Sequence, residues 1–320
     1  MTDQIPHTNH YVVAALYKFV VISSPPDLQQ TLKEKCSHLG LMGTLLIAPE
    51  GLNGTISGSF DGITRFVNWL RAQSDFADID IKYSAHDVSP FHRMRVRLKR
   101  EIVTMGREDI IPSEQSGTYV EPEDWNRLIS DPDVLVVDTR NDYEVAIGAF
   151  KGADNPHTRS FREFPDYAEK LADLAEEDRP KRVAMYCTGG IRCEKSTSLM
   201  KQLGFDEVYH LKGGILRYLE DIPQSESLWE GECFVFDGRV SVGHDLKAGQ
   251  YQLCHACKMP LSAEDLSSET YEPSISCPHC HDKTTEAQKQ RFAERKRQVE
   301  LARARGEVHI GQHAPAARKS

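Results

Sequence analysis

Six residues, Cys187-Thr188-Gly189-Gly190-Ile191-Arg192, stand between an apolar run, Val183-Ala184-Met185-Tyr186, and a helix-like stretch over residues 194–203. An apolar strand, a glycine loop and a helix in that order point to a parallel α/β sheet with its functional loops at the carboxyl ends of the strands. The order also gives the loop its chemistry. Two glycines let backbone N–H groups turn inward and form an anion-binding nest. The helix N-terminus adds partial positive charge, and Arg192 adds a full one. All of these favour thiolate over thiol, so Cys187 is expected to have a lowered pKa and to be nucleophilic. A buried structural cysteine would need neither the glycines nor the arginine.

The surrounding pattern alternates strand and helix. Residues 121–130 read as a helix with Pro122 in its first turn. Residues 134–138 form an apolar strand that ends in Asp138-Thr139-Arg140. A helix over 166–177, strands over 182–186 and 208–211, and a last helix opened by Gly213-Gly214 complete the series. Residues 111–120 read as a linker. Asp138 and Arg140 would brace the Cys187 loop from the neighbouring strand end, with RNA as an alternative contact for Arg140. Cys193 lies one helical turn beyond the loop, where it could resolve or accept sulfur, or simply pack.

The first hundred residues follow a different rhythm. Strands over 11–23, 41–48, 55–58 and 79–83 and helices over 26–38 and 61–73 give the order βαββαβ, the ferredoxin-like α+β pattern. A turn is expected at 51–54, and Asp61 is expected to cap the second helix. Residues 91–104 alternate strongly. Arg93, Arg95, Arg97 and Lys99 fall on one face and Met94, Val96 and Leu98 on the other, with His92 and Arg100 extending the basic patch. Such a face either contacts a phosphate backbone or is a solvated edge whose charges discourage aggregation.

Eight cysteines in a chain without a secretory signal core read as thiol chemistry or metal ligation. Cys254-x2-Cys257 and Cys277-x2-Cys280, nineteen residues apart, suit one tetrahedral zinc, or iron in the same site. His255, His279 and His281 are potential substitutes or neighbours of the ligands. Four sulfurs close the coordination sphere, so the site is structural, and a segment this short needs a metal to fold. Beyond it, a basic helix carrying Arg291, Arg295 and Arg303 runs to Gly306.

The net charge of −9 argues against nucleic acid only until its distribution is considered. Residues 121–182 hold 16 acidic and 9 basic side chains, whereas residues 82–107 hold 2 and 7, and residues 283–305 hold 3 and 8. No apolar run is long enough to span a bilayer, so no membrane partner is expected. The polar first ten residues predict a cytoplasmic protein.

The middle of the chain, over about residues 122–221, resembles the rhodanese family. The matching residues are Asp138-Thr139-Arg140, Glu144, Gly148-Ala149-Phe150-Lys151-Gly152-Ala153, the Cys187 loop and Leu211-Lys212-Gly213-Gly214. The resemblance implies a cysteine that carries sulfur as a persulfide. Related phosphatases use a loop one residue longer, to hold phosphate. Nearly the whole chain resembles a narrower family, the rhodanese-domain tRNA uridine hydroxylases. The basic strand, then Glu101-Ile102-Val103-Thr104-Met105-Gly106, then Tyr186 through Lys195, then the Cys-rich tail carry that likeness. It implies conversion of the wobble uridine in the tRNA anticodon stem-loop to 5-hydroxyuridine, with molecular oxygen as co-substrate.

The expectation is therefore a multidomain α/β protein. A ferredoxin-like domain over 1–110 precedes a rhodanese domain over 111–227 and a zinc-binding region with a basic helix over 228–320. No flavin or nicotinamide fingerprint is visible, and the sulfur or electron donor is left open. A persulfide-forming sulfurtransferase is the competing enzymatic reading, and an RNA-binding adaptor the non-enzymatic one. The intact loop argues against the adaptor.

Overall fold

A computed structural model describes residues 11–86, 89–91, 93–237 and 239–305, apart from the side chains of His86 and Arg303. His92, Gly306 and the Arg303 side chain, singled out above, lie outside the described residues. The chain divides into two compact units, the first ending at Glu114 and the second beginning at Gln115.

In the first unit, β1 (Tyr11–Phe19), α1 (Pro25–His38), β2 (Met42–Ala48), β3 (Gly51–Gly58), α2 (Phe60–Arg71) and β4 (Asp80–His86) realise the βαββαβ order. A fifth strand, β5 (Met94–Leu98), joins parallel to β2 and gives the sheet order β4-β1-β3-β2-β5. The helices cover one face. Ile63, Phe66, Val67 and Leu70 of α2 and Leu32 and Cys36 of α1 are buried against Val12, Leu45 and Ile56 of the sheet. Ser59 rather than Asp61 caps α2, accepting a 3.1 Å bond from the Gly62 N–H. Residues 51–54 lie within β3 instead of forming a turn. That strand pairs on both sides, with β1 and β2, and the two ladders outweigh the turn preference of the glycines.

The basic strand is shorter than the alternation predicts. Chain pairing stops after Lys99, whose N–H donates to Ile47 O. The next residues close on themselves. The buried Glu101 carboxylate accepts from the Met105 and Gly106 N–H groups at 3.0 and 2.9 Å, and Asn53 donates to Ile102 O. The Glu101-to-Gly106 motif is thus a self-capped loop.

The second unit is built on four parallel strands, β6 (Thr118–Val120), β7 (Val134–Asp138), β9 (Arg182–Tyr186) and β10 (Glu207–Leu211), in the order β6-β10-β9-β7. Part of the expected linker is thereby a strand. β6 was hidden because three residues are too few to show a period. The helices α3 (Pro122–Ile129), α4 (Asp142–Val145), α5 (Phe164–Ala172), α6 (Ile191–Gln202) and α7 (Gly214–Asp221) connect and cover the strands, with β8 (Gly148–Phe150) between α4 and α5.

The boundary expected at residue 227 does not separate two cores. β11 (Trp229–Gly231) pairs with β8, and Trp229, Cys233, Val235 and Val242 share one apolar cluster with Phe150, Tyr186 and Tyr218. Phe150 contacts Tyr186, Tyr218 and Trp229 edge-on at 4.7–5.2 Å. Burying one such ring contributes about 1.5–3 kcal/mol, so this segment is integral to the fold around it. After β12 (Cys233–Phe234) and β13 (Ser241–Val242), the chain forms a small cysteine-centred cluster with β14 (Gln252–Leu253), β15 (Pro260–Leu261) and α8 (Ala263–Ser267), followed by α9 (Glu286–Ala304).

Candidate active site

Cys187 follows β9 directly, and its loop runs straight into α6, which begins at Ile191, three residues earlier than the periodicity predicts. Gly190 precedes the helix at φ +102°, a conformation glycine adopts without strain, and its N–H donates to Cys187 Sγ at 3.1 Å. The thiol is 2 % exposed. Burial pushes its pKa up. A hydrogen bond from the Cys193 thiol, the charge of Arg192 and the amides of Cys193 and Arg192 outweigh this and lower it to about 6. Cys193, equally buried, is pushed well above the ordinary thiol range by burial and by its bond to Cys187. It is therefore the protonated partner of a thiolate, with Thr139 Oγ1 3.7 Å from its sulfur.

The loop carbonyls are held from the other side. The N–H groups of Ile215 and Leu216, in the first turn of α7, donate to Cys187 O and Thr188 O at 3.0 and 3.1 Å. This approach is possible only because residue 214 is glycine. A Cβ there would lie 2.5 Å from Cys187 O and 2.8 Å from Gly190 N. The Gly213-Gly214 pair thus clamps the loop as well as opening a helix.

Arg192 does not stand free to hold an anion. Both of its terminal nitrogens reach the fully buried Glu144 carboxylate, at 2.9 and 3.1 Å. Its guanidinium also lies 5.8 Å from the Phe236 ring centroid. Glu144 caps α4, accepts from the Asn141 N–H, and lies 3.4 Å from the Thr188 hydroxyl. It was visible in the sequence only as part of a family motif, with no signal of its role, because its partner is 48 residues away.

Asp138 and Arg140 form a fully buried bidentate pair, with bonds of 2.9 and 2.6 Å. The remaining guanidinium donors go to Glu144 O and Gly148 O, and the guanidinium lies over Trp229 at 5.1 Å. Arg140 has no exposed surface, so RNA contact is excluded for it. The pair fixes the β7 end, where Thr139 donates to Tyr186 O from both its N–H and its hydroxyl. These are positioning residues.

Sequence reasoning also passed over Cys233. It is buried, and its pKa is pushed up to about 12 by burial, while the side chain of Thr188 bonds to its sulfur. The segment after residue 228 therefore reaches the Cys187 loop.

The four tail cysteines converge as their spacing predicts. Their sulfurs lie within 4.8 Å of one another, with Cys257–Cys277 and Cys277–Cys280 at 3.6 Å. A tetrahedron with metal–sulfur bonds of 2.3 Å has edges of about 3.8 Å, so the set fits one zinc ion. His279 instead pairs with Asp265 and His281 with Asp282. The basic residues in and flanking β5 belong to the first unit. Arg93, Arg97 and Lys99 are exposed and Arg95 half-buried. With Lys33 and Met42, the three arginines line a shallow cavity of about 690 Å³. Arg291 and Arg295 are exposed on α9.

Residues 11–102 match the UPF0176 acylphosphatase like domain, and residues 121–221 the rhodanese-like domain. Over 97% of this chain and the full length of each relative, it is 56% identical to the tRNA uridine(34) hydroxylases of Rhizobium leguminosarum bv. trifolii and Rhizobium etli. The Sinorhizobium medicae protein of the same name is 55% identical over 97% of this chain and 98% of its own. With a rhodanese-type thiolate loop, the acylphosphatase-like unit and identity along almost its whole length, the chain belongs to the tRNA uridine(34) hydroxylase family.

Proposed function

We propose that this protein hydroxylates the wobble uridine of tRNA to 5-hydroxyuridine, with molecular oxygen as co-substrate and Cys187 as the nucleophile. The observation that carries the reading is a thiolate, with a pKa of about 6, in a chain alike along its length to enzymes named for this uridine. Addition of the Cys187 sulfur at C6 of uracil pushes electron density onto C5, where oxygen then attacks. One oxygen atom stays on C5, the other leaves as water, and two electrons come from an external reductant. Release of the thiolate from C6 and loss of the C5 proton restore the ring. Cys193 supplies or holds the proton beside the sulfur. An anticodon loop is single-stranded and can splay its base out to such a site. Such a reaction belongs in the cytoplasm.

Arg93, Arg95, Arg97 and Lys99 hold RNA phosphates, with Arg291 and Arg295 of α9 as a second basic surface. Each lost phosphate contact should flatten the salt dependence of binding by roughly one unit of log–log slope or less. An Arg93→Ala, Arg95→Ala, Arg97→Ala variant with an unchanged slope would reduce β5 to a solvated edge. Zinc in the four-cysteine cluster would be structural. The deciding experiment is mass analysis of tRNA nucleosides from a strain lacking the gene and complemented with wild type or Cys187→Ser. Loss of an oxygen in the deletion strain, restored only by wild type, supports the reading. Loss of a sulfur would establish the sulfurtransferase instead.

A further inference from the structure

Phe236 is out of place for a packing residue. Among the described residues it is the one phenylalanine with a mostly solvent-facing ring, 64% exposed. An isolated exposed apolar side chain needs no explanation, but this one has a defined setting. It follows β12, on a turn closed by the Val235 N–H to Val240 O bond at 2.9 Å and by the Arg239–Asp237 ion pair. Its ring stands at 79° to that of the buried Phe234, which in turn meets Tyr143 edge-on. Its other neighbour is Arg192, a member of the Cys187 loop. The sequence has therefore placed a braced aromatic surface, open to solvent, against Arg192, the arginine whose charge acts on Cys187.

We propose that Phe236 is the platform on which the target pyrimidine of a single-stranded RNA loop stacks as it meets Cys187. The proposal rests on the reading given under Proposed function, and it adds the residue that receives the base. Every nucleobase offers a π-face, and single-stranded RNA is held by stacking such faces on aromatic rings. Stacking of one base is worth about 1–3 kcal/mol, so removing the ring should lower kcat/KM by about 5- to 150-fold.

The test uses the full chain and hairpin RNAs with the sequence of an anticodon stem-loop. Phe236→Ala and Phe236→Leu are expected to lose kcat/KM to that extent, while Phe236→Tyr and Phe236→Trp stay within about threefold of wild type. Leucine keeps the apolar volume without the π-face, so an unimpaired Phe236→Leu variant overturns the proposal. In Phe236→Trp, the added fluorescence should be quenched by a hairpin with uridine at the target position. It should not be quenched by one with an abasic site or the non-planar 5,6-dihydrouridine there; equal quenching by all three overturns the proposal. The pH profile of Cys187 alkylation should be the same in Phe236→Ala and wild type. A shifted profile would mean that Phe236 acts through Arg192, and would also overturn it. Absence of hydroxylated product from wild type strikes the proposed reaction instead, and leaves the quenching result readable.

Discussion

The Cys187 loop and the Cys254–Cys280 cluster are both cysteine sites in the same compact unit, and they solve opposite problems. At Cys187 the protein supplies the positive partners itself: a loop amide at 3.1 Å, a neighbouring thiol and a buried arginine. One sulfur is thereby stabilised as an anion by groups of the chain itself. In the tail, four sulfurs crowd within 4.8 Å of one another, and a cation is the natural way to relieve that crowding. The first site holds a single sulfur as thiolate, and the second brings four sulfurs to the spacing of a metal's ligands. Residue type alone does not separate them. The donors within hydrogen-bonding distance do.

The sharpest contrast comes from one serine in each site. Cys187→Ser should abolish turnover, by at least about 10³-fold, while the chain keeps its metal and its fold. Cys277→Ser should lose the metal and the order of the tail. If Cys187→Ser retained full turnover, the thiolate mechanism would fail. Removing the metal comes next. Protein purified without chelator should carry about one zinc per chain. A strong chelator should raise amide exchange across residues 250–285 and leave β7, β9 and β10 protected. Four titratable free thiols with unchanged exchange would show that the cluster folds without a cation.

Arg192 tests the electrostatic half of the comparison. Arg192→Gln leaves the Glu144 carboxylate buried without its partner, which should cost about 3–5 kcal/mol in denaturant unfolding. It should also move the alkylation midpoint of Cys187 upward. Arg192→Lys keeps charge but loses the planar fork, and should fall between the two. Stability and midpoint unchanged in Arg192→Gln would mean that the loop amides suffice. The effect of Cys193 is confined to the titration of the thiol. In wild type, alkylation of Cys187 should slow as pH falls through about 6, because protonation removes the nucleophile. Cys193→Ala removes a hydrogen bond to the anion, so its midpoint should rise by about one pH unit. A midpoint that stays put would make Cys193 a packing residue.

Much of this was legible in the sequence because it is local. The spacings of the two cysteine pairs, the glycine loop after an apolar strand and the alternation at Arg93 to Lys99 all lie within a few residues. Strands β7 and β9 fall where their apolar runs place them. What escaped is what depends on distance along the chain. Glu144 gives no sign that it anchors Arg192, Cys233 none that it meets Thr188, and Thr118 to Val120 is too short to show a period. For Arg140 the sequence leaves RNA contact open beside the bracing role, because burial of an arginine follows from its partners, Asp138 and two carbonyls, rather than from its type.

The packing of Trp229 and Cys233 around the site has a consequence in time. During synthesis, Cys187 and Arg140 leave the ribosome before the residues that cover them. Until β11 pairs with β8, Arg140 lacks the indole above it and Thr188 lacks its sulfur partner. The nascent chain thus carries Cys187 in an unfinished setting, completed only once residues 229–233 have been made and packed.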